Sequence, residues 1–466
     1  MTLGGLVVQI RKAAQAPNWE TFYRYLNQYF STVSCRLATD AEAAQLSVKP
    51  DDLDAYHAET LDIVIQVLRE GDFQLRWDLS KLIPNFGTIA IAPLIDLLED
   101  AQDDDDWELS WFIARILGHY PTDQSIVALQ RLLQTSSQED ICAVVIDALA
   151  SMEEAVLPTL AVLMNDASTR LFAVQALARL QHPDVMSLLM TVVHDDDART
   201  RAVAIATLGQ FHQPEITQRL IEALSDVASD VRCAAVVGVG LQHQLLPAEK
   251  SLEVLTPLLW DVNLDVRRQT VLALGRLKTE QSAQVLFETL CSADTPPMLW
   301  GDILRALVWT GTTTALNHLQ RLVNRQFVES PRVLVNSNDC GCSRAHERSS
   351  ECPPDINPCF PDVSSQLQVL HGLATTLGLV ETPQLQEIAS DILIDMLVVI
   401  DGNDTYSQPS WRSRVVSIKQ AIVYNLGHLK QHRAVPSLKA LLISDPDKRI
   451  QLHTTRALEQ IVGLGQ

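Results

Sequence analysis

A small residue recurs along most of this 466-residue chain at a nearly constant spacing. Gly87, Gly118, Ala150, Ala178, Gly209, Gly240, Gly275 and Gly311 are separated by 31, 32, 28, 31, 31, 35 and 36 residues. A period near this length predicts a solenoid, in which each unit buries its apolar face only against its neighbours. The unit is clearest at Asp261–Leu290. Val266, Thr270, Ala273, Leu274 and Leu277 fall on one helical stripe, and Ala283, Leu286, Phe287 and Leu290 on a second. Gly275 and the Lys278-Thr279-Glu280 segment permit a turn between them, so the unit is a helical hairpin and the chain all-α. Asp261 and Asp265 are placed to cap the first helix and favour its positive end.

The preceding unit, Asp226–Gly240, aligns on Asp261–Gly275 without a gap, bringing Asp226, Asp230, Val231 and Arg232 onto Asp261, Asp265, Val266 and Arg267. Arg201 and Arg170 hold the arginine slot in earlier units. The array therefore resembles HEAT repeats of the phycobilisome-lyase type, whose pattern runs Asp-x-x-Val-Arg-x-x-Ala-x-x-Ala-Leu-Gly, over roughly three quarters of the chain. The resemblance implies a right-handed α-solenoid of about ten HEAT-like hairpins and a cyanobacterial protein. The Asp and Arg residues read as a ladder of contacts between stacked units, not as catalytic groups. Ser110 and Cys142 occupy the arginine slot in two units, which predicts a looser stack there.

Residues 1–60 do not fit the period and read as an N-terminal helical cap, with Phe22, Leu26, Tyr29 and Phe30 as its stripe and Trp19, Tyr23 and Tyr25 near it. Lys49-Pro50-Asp51-Asp52 reads as the break before a repeat array over 61–325. After Gly311 the marker returns at Gly378 and Gly427, following gaps of 67 and 49 residues. Residues 362–466 are accordingly C-terminal repeats, ending in a half-unit from Arg449-Ile450. The extra length falls in a short polar loop, Asp401–Ser410, and in a Cys/Pro-rich insertion, 326–361.

That insertion carries Pro331, Pro353, Pro354, Pro358 and Pro361 and no helical period, so it leaves the solenoid as a loop. It also holds Cys340, Cys342, Cys352 and Cys359, half of the eight cysteines. Four thiolates can close a tetrahedral zinc site or hold an iron–sulfur cluster, with His346 as a spare ligand. The C-x-C-x9-C-x6-C spacing matches neither common zinc modules nor ferredoxin runs, so a labile disulfide and an unliganded loop stay open as readings. Cys35, Cys142, Cys233 and Cys291 are scattered and read as small core residues.

A net charge of −21 opposes binding to nucleic acid or to an anionic membrane surface and favours basic partners. Leu3, Leu6, Val7 and Ile10 precede the basic Arg11-Lys12, the reverse of a secretory signal, and no apolar run is long enough to span a membrane. A cytoplasmic protein is expected. Phosphate-binding glycine loops and the zinc-protease His-Glu-x-x-His pattern are absent from the sequence. The Asp103–Asp106 and Asp195–Asp197 runs read as solvated, helix-capping edges.

These observations favour a binding scaffold that docks a protein partner on a concave face lined by the second helix of each unit. The family resemblance implies a setting in phycobilisome or cofactor assembly, with a phycobiliprotein as partner. It also implies a second activity, that of a phycobilin lyase or chromophore chaperone. An open-chain tetrapyrrole needs aromatic walls, which Trp107, Trp111, Trp260, Trp300 and Trp309 can supply. Cyanobacteria further possess a HEAT-repeat protein that associates with an iron–sulfur scaffold protein, which would give the cysteine loop an assembly role. HEAT-repeat deoxyhypusine hydroxylases use several His-Glu pairs. The lone His346-Glu347 argues against that activity.

Overall fold

Four side-chain roles explain why the motif repeats. In the unit that opens at Asp261, the Asp261 carboxylate accepts the Asn263 amide at 2.8 Å and closes a tight turn. The Asn263 side chain then accepts from the Asp265 amide at 2.8 Å and starts the helix Leu264–Arg276. The N-cap is thus Asn263, not Asp261 or Asp265 as the sequence suggested, because Asp261 is committed to the turn. Val266, Thr270, Val271, Ala273 and Leu274 are buried, and burying each of the larger aliphatic side chains contributes about 1.5–3 kcal/mol. Thr279 and Ser282 form a reciprocal capping box that starts the second helix, Glu280–Cys291. Its Ala283, Leu286, Phe287 and Leu290 face inward, as their spacing predicts.

The arginine slot performs two tasks. Arg170, Arg201 and Arg232 each donate to the carbonyl six residues earlier, on Met164, Asp195 and Asp226, at 2.7, 2.7 and 2.8 Å. Arg267 makes the same bond to Asp261. Some slot residues also reach the next repeat. Arg170 binds Asp195 at 2.6 Å, and Arg232 holds Asp261 with two bonds of 2.7 and 2.8 Å. Lys419, in the same slot, meets Asp445 at 2.6 Å. The expected ladder is present, but its rungs are Arg232–Asp261 and their equivalents. Asp265 pairs with Arg268 on its own helix and is exposed.

The computed structural model describes residues 2–16, 18–37, 50–180, 182–242, 245–324, 360, 362–403, 406 and 408–463. Cys340, Cys342, Cys352, Cys359, His346 and Glu347, and the side chain of Cys35, lie outside the described residues. The described residues form helices and no strand, and their contacts divide the chain into two compact units, Met1–Leu208 and Gly209–Gln466.

In the first unit Phe73–Leu82, Trp107–Leu117, Glu139–Ala150, Arg170–Leu177 and Ala198–Leu208 stack as one row, while Pro50–Glu70, Ile91–Asp103 and Asp123–Thr135 stack as another. The residue-60 boundary falls inside Pro50–Glu70. Leu3–Gln15 packs on that helix and Trp19–Leu37 on Phe73–Leu82, so the N-terminal helices extend both rows without keeping the sequence period. Phe22, Leu26, Tyr29 and Phe30 are buried there. The stretch Phe73–Asp103 contains a window apolar enough to cross a bilayer, with mean hydropathy 1.4. Its backbone breaks at Gly87, where φ is 67° and ψ −156°, so it is not one continuous helix.

In the second unit Ser229–Leu241, Leu264–Arg276, Pro297–Thr310, Val363–Thr376, Arg412–Leu429 and Lys448–Val462 make one row. Glu280–Cys291, Thr313–Val323 and Pro383–Gly402 make the other. The Asp401–Ser410 segment is less polar in effect than expected. Its Tyr406 is buried and donates to Gln366 at 2.8 Å. Cys142 and Cys291 are buried, as expected of small core residues, and Cys233 is half-buried.

The repeating glycine marks where successive helices approach most closely. A Cβ on Gly118, Gly240, Gly275 or Gly427 would meet Ala148, Ala273, Ala306 or Ala457 at 2.9, 3.1, 3.0 and 3.0 Å. Gly87 and Gly311 make no such approach. They carry left-handed backbone at turns instead. The residues in register are Pro84 and Val308, eight after Arg76 and Trp300, as Gly275 is eight after Arg267. We expect Gly275→Val to cost about 1–3 kcal/mol by overpacking against Ala306, read by urea unfolding. Gly311→Asn, at a left-handed turn with open space, should cost well under half of that.

Candidate functional site

Correcting the first register by three residues aligns Phe73 and Trp77 with Trp107 and Trp111 of the next repeat. Asp72 caps the helix Phe73–Leu82 through the Leu75 amide at 2.9 Å, and Asp106 caps Trp107–Leu117 through Leu109 at 2.9 Å. With both helix starts held, residues four apart line up on one face. Leu75, Leu79 and Leu82, and on the next helix Leu109, Phe112, Ile113 and Ile116, take the inner face. Phe73, Trp77 and Lys81 are left on the outer face, beside Trp111 and Arg115.

There the rings assemble in a row. Phe73 and Trp77 lie 6.5 Å apart with planes at 9°, and Trp77 and Trp111 6.5 Å apart at 20°. The buried Phe112 supports the row from beneath, edge-on to Phe73 at 5.2 Å and to Trp111 at 5.0 Å. The Arg115 guanidinium stands 4.8 Å from the Trp77 ring and 5.9 Å from the Trp111 ring, and Lys81 lies 5.3 Å from Trp77. Such contacts contribute about 0.5–1 kcal/mol each at an exposed site and hold the arginine in place. Lys81 also reaches Asp78 at 3.1 Å. Asp78 is held below the usual carboxylate range by its hydrogen bond from Gln74, with Lys81 adding to it. Phe73 remains 55 % exposed, and Trp77 and Trp111 are half-buried.

The row borders a concavity of about 360 Å³ lined by Trp111, Arg115, His119, Asp140, Asp147 and Ser151. Asp147 is bridged to Arg179 at 2.7 Å. Planar aromatic faces, a pre-positioned guanidinium and carboxylates within one patch suit recognition of a polypeptide surface, where Trp, Tyr and Arg carry most binding energy. Among the described residues no group of three or more His, Cys, Asp or Glu side chains is arranged to hold a metal ion.

The five tryptophans expected to wall one groove are dispersed. Trp111 joins the row, and Trp107 is 49 % exposed on the same helix. Trp300 is core, edge-on to Phe360 at 4.9 Å. Trp309 lines a separate cleft of about 420 Å³ with Arg276, Leu316, Leu379 and Leu385. Trp260 ends the short helix Thr256–Trp260 and is 44 % exposed. Phe73 and Trp77 were missed. The signal that finds them is the 34-residue offset to Trp107 and Trp111, hidden by taking Gly87 as the phase marker.

No curated protein matches the sequence. Among solved structures, Kap121p bound to the extreme C-terminus of the protein phosphatase Cdc14p is similar at 13 % identity, over 98 % of this chain and 54 % of that one, with a TM-score of 0.49. Yeast importin-β, Kap95p, is similar at 11 % identity over 95 % and 64 %, with a TM-score of 0.47. An engineered protein is similar at 16 % identity over 87 % and 96 %, with a TM-score of 0.29. The chain thus spans between half and two thirds of the length of the Kap121p and importin-β chains. The HEAT-repeat family matches residues 156–240 and 217–298. Residues 156–298 are HEAT repeats, in a chain that folds as an all-α helical solenoid.

Proposed function

We propose that this protein is a helical-repeat scaffold that docks a protein partner on the Phe73–Trp77–Trp111 face, which lies on the first helices of two consecutive hairpins and not on the second-helix face expected from the sequence. The observation that carries the reading is the row of near-parallel rings with Arg115 lodged against two of them. Buried aromatic anchors fold a repeat. Rings left on the outer face of the first helices of two consecutive repeats, with an arginine fixed among them, form the kind of patch that marks an interaction site. The test is affinity capture from the source cell with wild type and with Trp77→Ala/Trp111→Ala. One stoichiometric partner retained by the first and lost by the second supports the reading. A partner retained equally by both overturns it.

The phycobilisome-lyase likeness of the motif supplies a narrower form, with a phycobiliprotein or an iron–sulfur scaffold protein as partner. The same likeness supports a second reading, a phycobilin lyase, in which adding phycocyanobilin to the purified protein shifts its visible spectrum; no shift and no transfer to an apo-phycobiliprotein would remove it.

The clustering of Cys340, Cys342, Cys352 and Cys359 within twenty positions supports a metal-holding loop. Purified protein is then expected to carry about one zinc or one iron–sulfur cluster per chain, lost in Cys340→Ser. Colourless protein free of zinc contradicts it.

A further inference from the structure

We propose that the cleft beside Trp309 binds a small organic acid of one or two rings, with its flat body on the apolar floor and its carboxylate toward Arg276 and Lys278. The cleft lies wholly within Gly209–Gln466 and shares no residue with the Phe73–Trp77–Trp111 face.

Three consecutive hairpin turns build it. The helix Leu264–Arg276 ends at Arg276, and Lys278 follows in left-handed backbone. The helix Pro297–Thr310 turns at Gly311, which has φ 61° and contributes no side chain to fill the space. Residues 377–382 then lead into the helix Pro383–Gly402. The enclosed volume is about 420 Å³, within the range of small-molecule sites. Leu316 and Leu385 are buried at its base, while Trp309 and Leu379 stay 41 % and 53 % exposed at its walls. A flat apolar guest removes both of those side chains from water, which is the source of its binding energy.

Charge decides which apolar guest fits. Arg276 and Lys278 are both exposed, and among the described residues neither makes an ion pair. Arg268, on the same helix as Arg276, is by contrast bound to Asp302 at 2.9 Å and to Asp265 at 3.2 Å. Glu381 is the one carboxylate among the lining residues, so the cleft carries two cations against one anion, a net +1 in a chain of −21. A neutral guest leaves both cations unused, and an ammonium is repelled by them. A carboxylate takes charge-assisted hydrogen bonds from the planar guanidinium and from the ammonium. Glu381 opposes a second negative charge, which favours a monoanion over a dianion.

The probes are 2-naphthoate and 2-naphthamide, which share one ring body and differ in charge, titrated into the full chain and followed by saturation-transfer NMR. Naphthoate is expected to bind about tenfold more tightly, the effect of two exposed charge contacts acting together. Raising the salt concentration should narrow that gap. The double variant Arg276→Gln/Lys278→Gln replaces two exposed side chains. It should abolish the preference and bind naphthamide as wild type does, which also shows the cleft to be intact. Trp309→Ala should weaken both probes. Equal binding of the two probes to wild type, or no binding of either, overturns the proposal. So does a naphthoate preference that survives in the double variant, or unaltered binding of both probes to Trp309→Ala, which would place them elsewhere.

Discussion

Replacing Asp261 by alanine is expected to lower the unfolding free energy by about 3–5 kcal/mol. The Arg232 and Asp261 side chains are only 12 % and 9 % exposed, and the carboxylate receives two guanidinium bonds as well as the Asn263 amide. Alanine leaves Arg232 desolvated and unpaired and opens the turn that starts the next helix. The paired replacement Arg232→Met/Asp261→Leu should recover much of the loss, because two apolar groups carry no stranded charge. Asp265→Ala, at the exposed residue of the same motif, should change stability by less than about 0.5 kcal/mol. The hydrogen bonds from Arg232 hold the Asp261 carboxyl below its ordinary range, partly offset by burial. A depressed carboxyl pKa stabilises the fold above the unfolded-state value of about 3.9, and that contribution is lost as the pH falls through the folded-state value. Urea titrations of wild type and Asp261→Ala should therefore differ at pH 7 and converge in strong acid.

The double variant Trp77→Ala/Trp111→Ala is expected to weaken partner binding at least about 100-fold, since central aromatic anchors typically contribute 2 kcal/mol or more each. Arg115→Lys keeps the charge but not the planar group between the rings, and should cost about tenfold. Trp260→Ala removes an indole that is more exposed but stands outside the row, and should leave affinity unchanged. Isothermal titration with the purified partner reads all three. Both rings of the double variant are half-buried, so each protein is first checked for a native melting transition.

The hairpin at Asp261–Leu290 was legible because its apolar residues repeat at helical spacing and both helices bury that stripe. The roles of Asp261 and Asp265 were not separable by eye. Both lie near a helix start, and only the fold shows that Asp261 faces Arg232 while Asp265 faces solvent. Gly87 and Gly311 misled because a glycine serves two purposes here, close helix approach and left-handed turns, and sequence does not distinguish them. That ambiguity displaced the first repeat by three residues, concealing both the Arg76–Asp106 contact at 2.9 Å and the pairing of Phe73 and Trp77 with the next helix. The N-terminal helices escaped the period because stacking constrains where helices lie, not how many residues link them. Serine in place of arginine at position 110 led to the expectation of a looser stack there, yet Gly118 on the same helix approaches Ala148 as closely as the glycines of the repeats that keep the arginine.

On the reading proposed above, a protein partner covers the Phe73–Trp77–Trp111 face. Hydrogen–deuterium exchange of the full chain with and without its purified partner tests this most directly. Slowed exchange is expected to concentrate in peptides covering 73–82 and 107–117, with little change in peptides covering 264–291. Protection confined to other helices, with 73–82 and 107–117 exchanging as in the free protein, would contradict it.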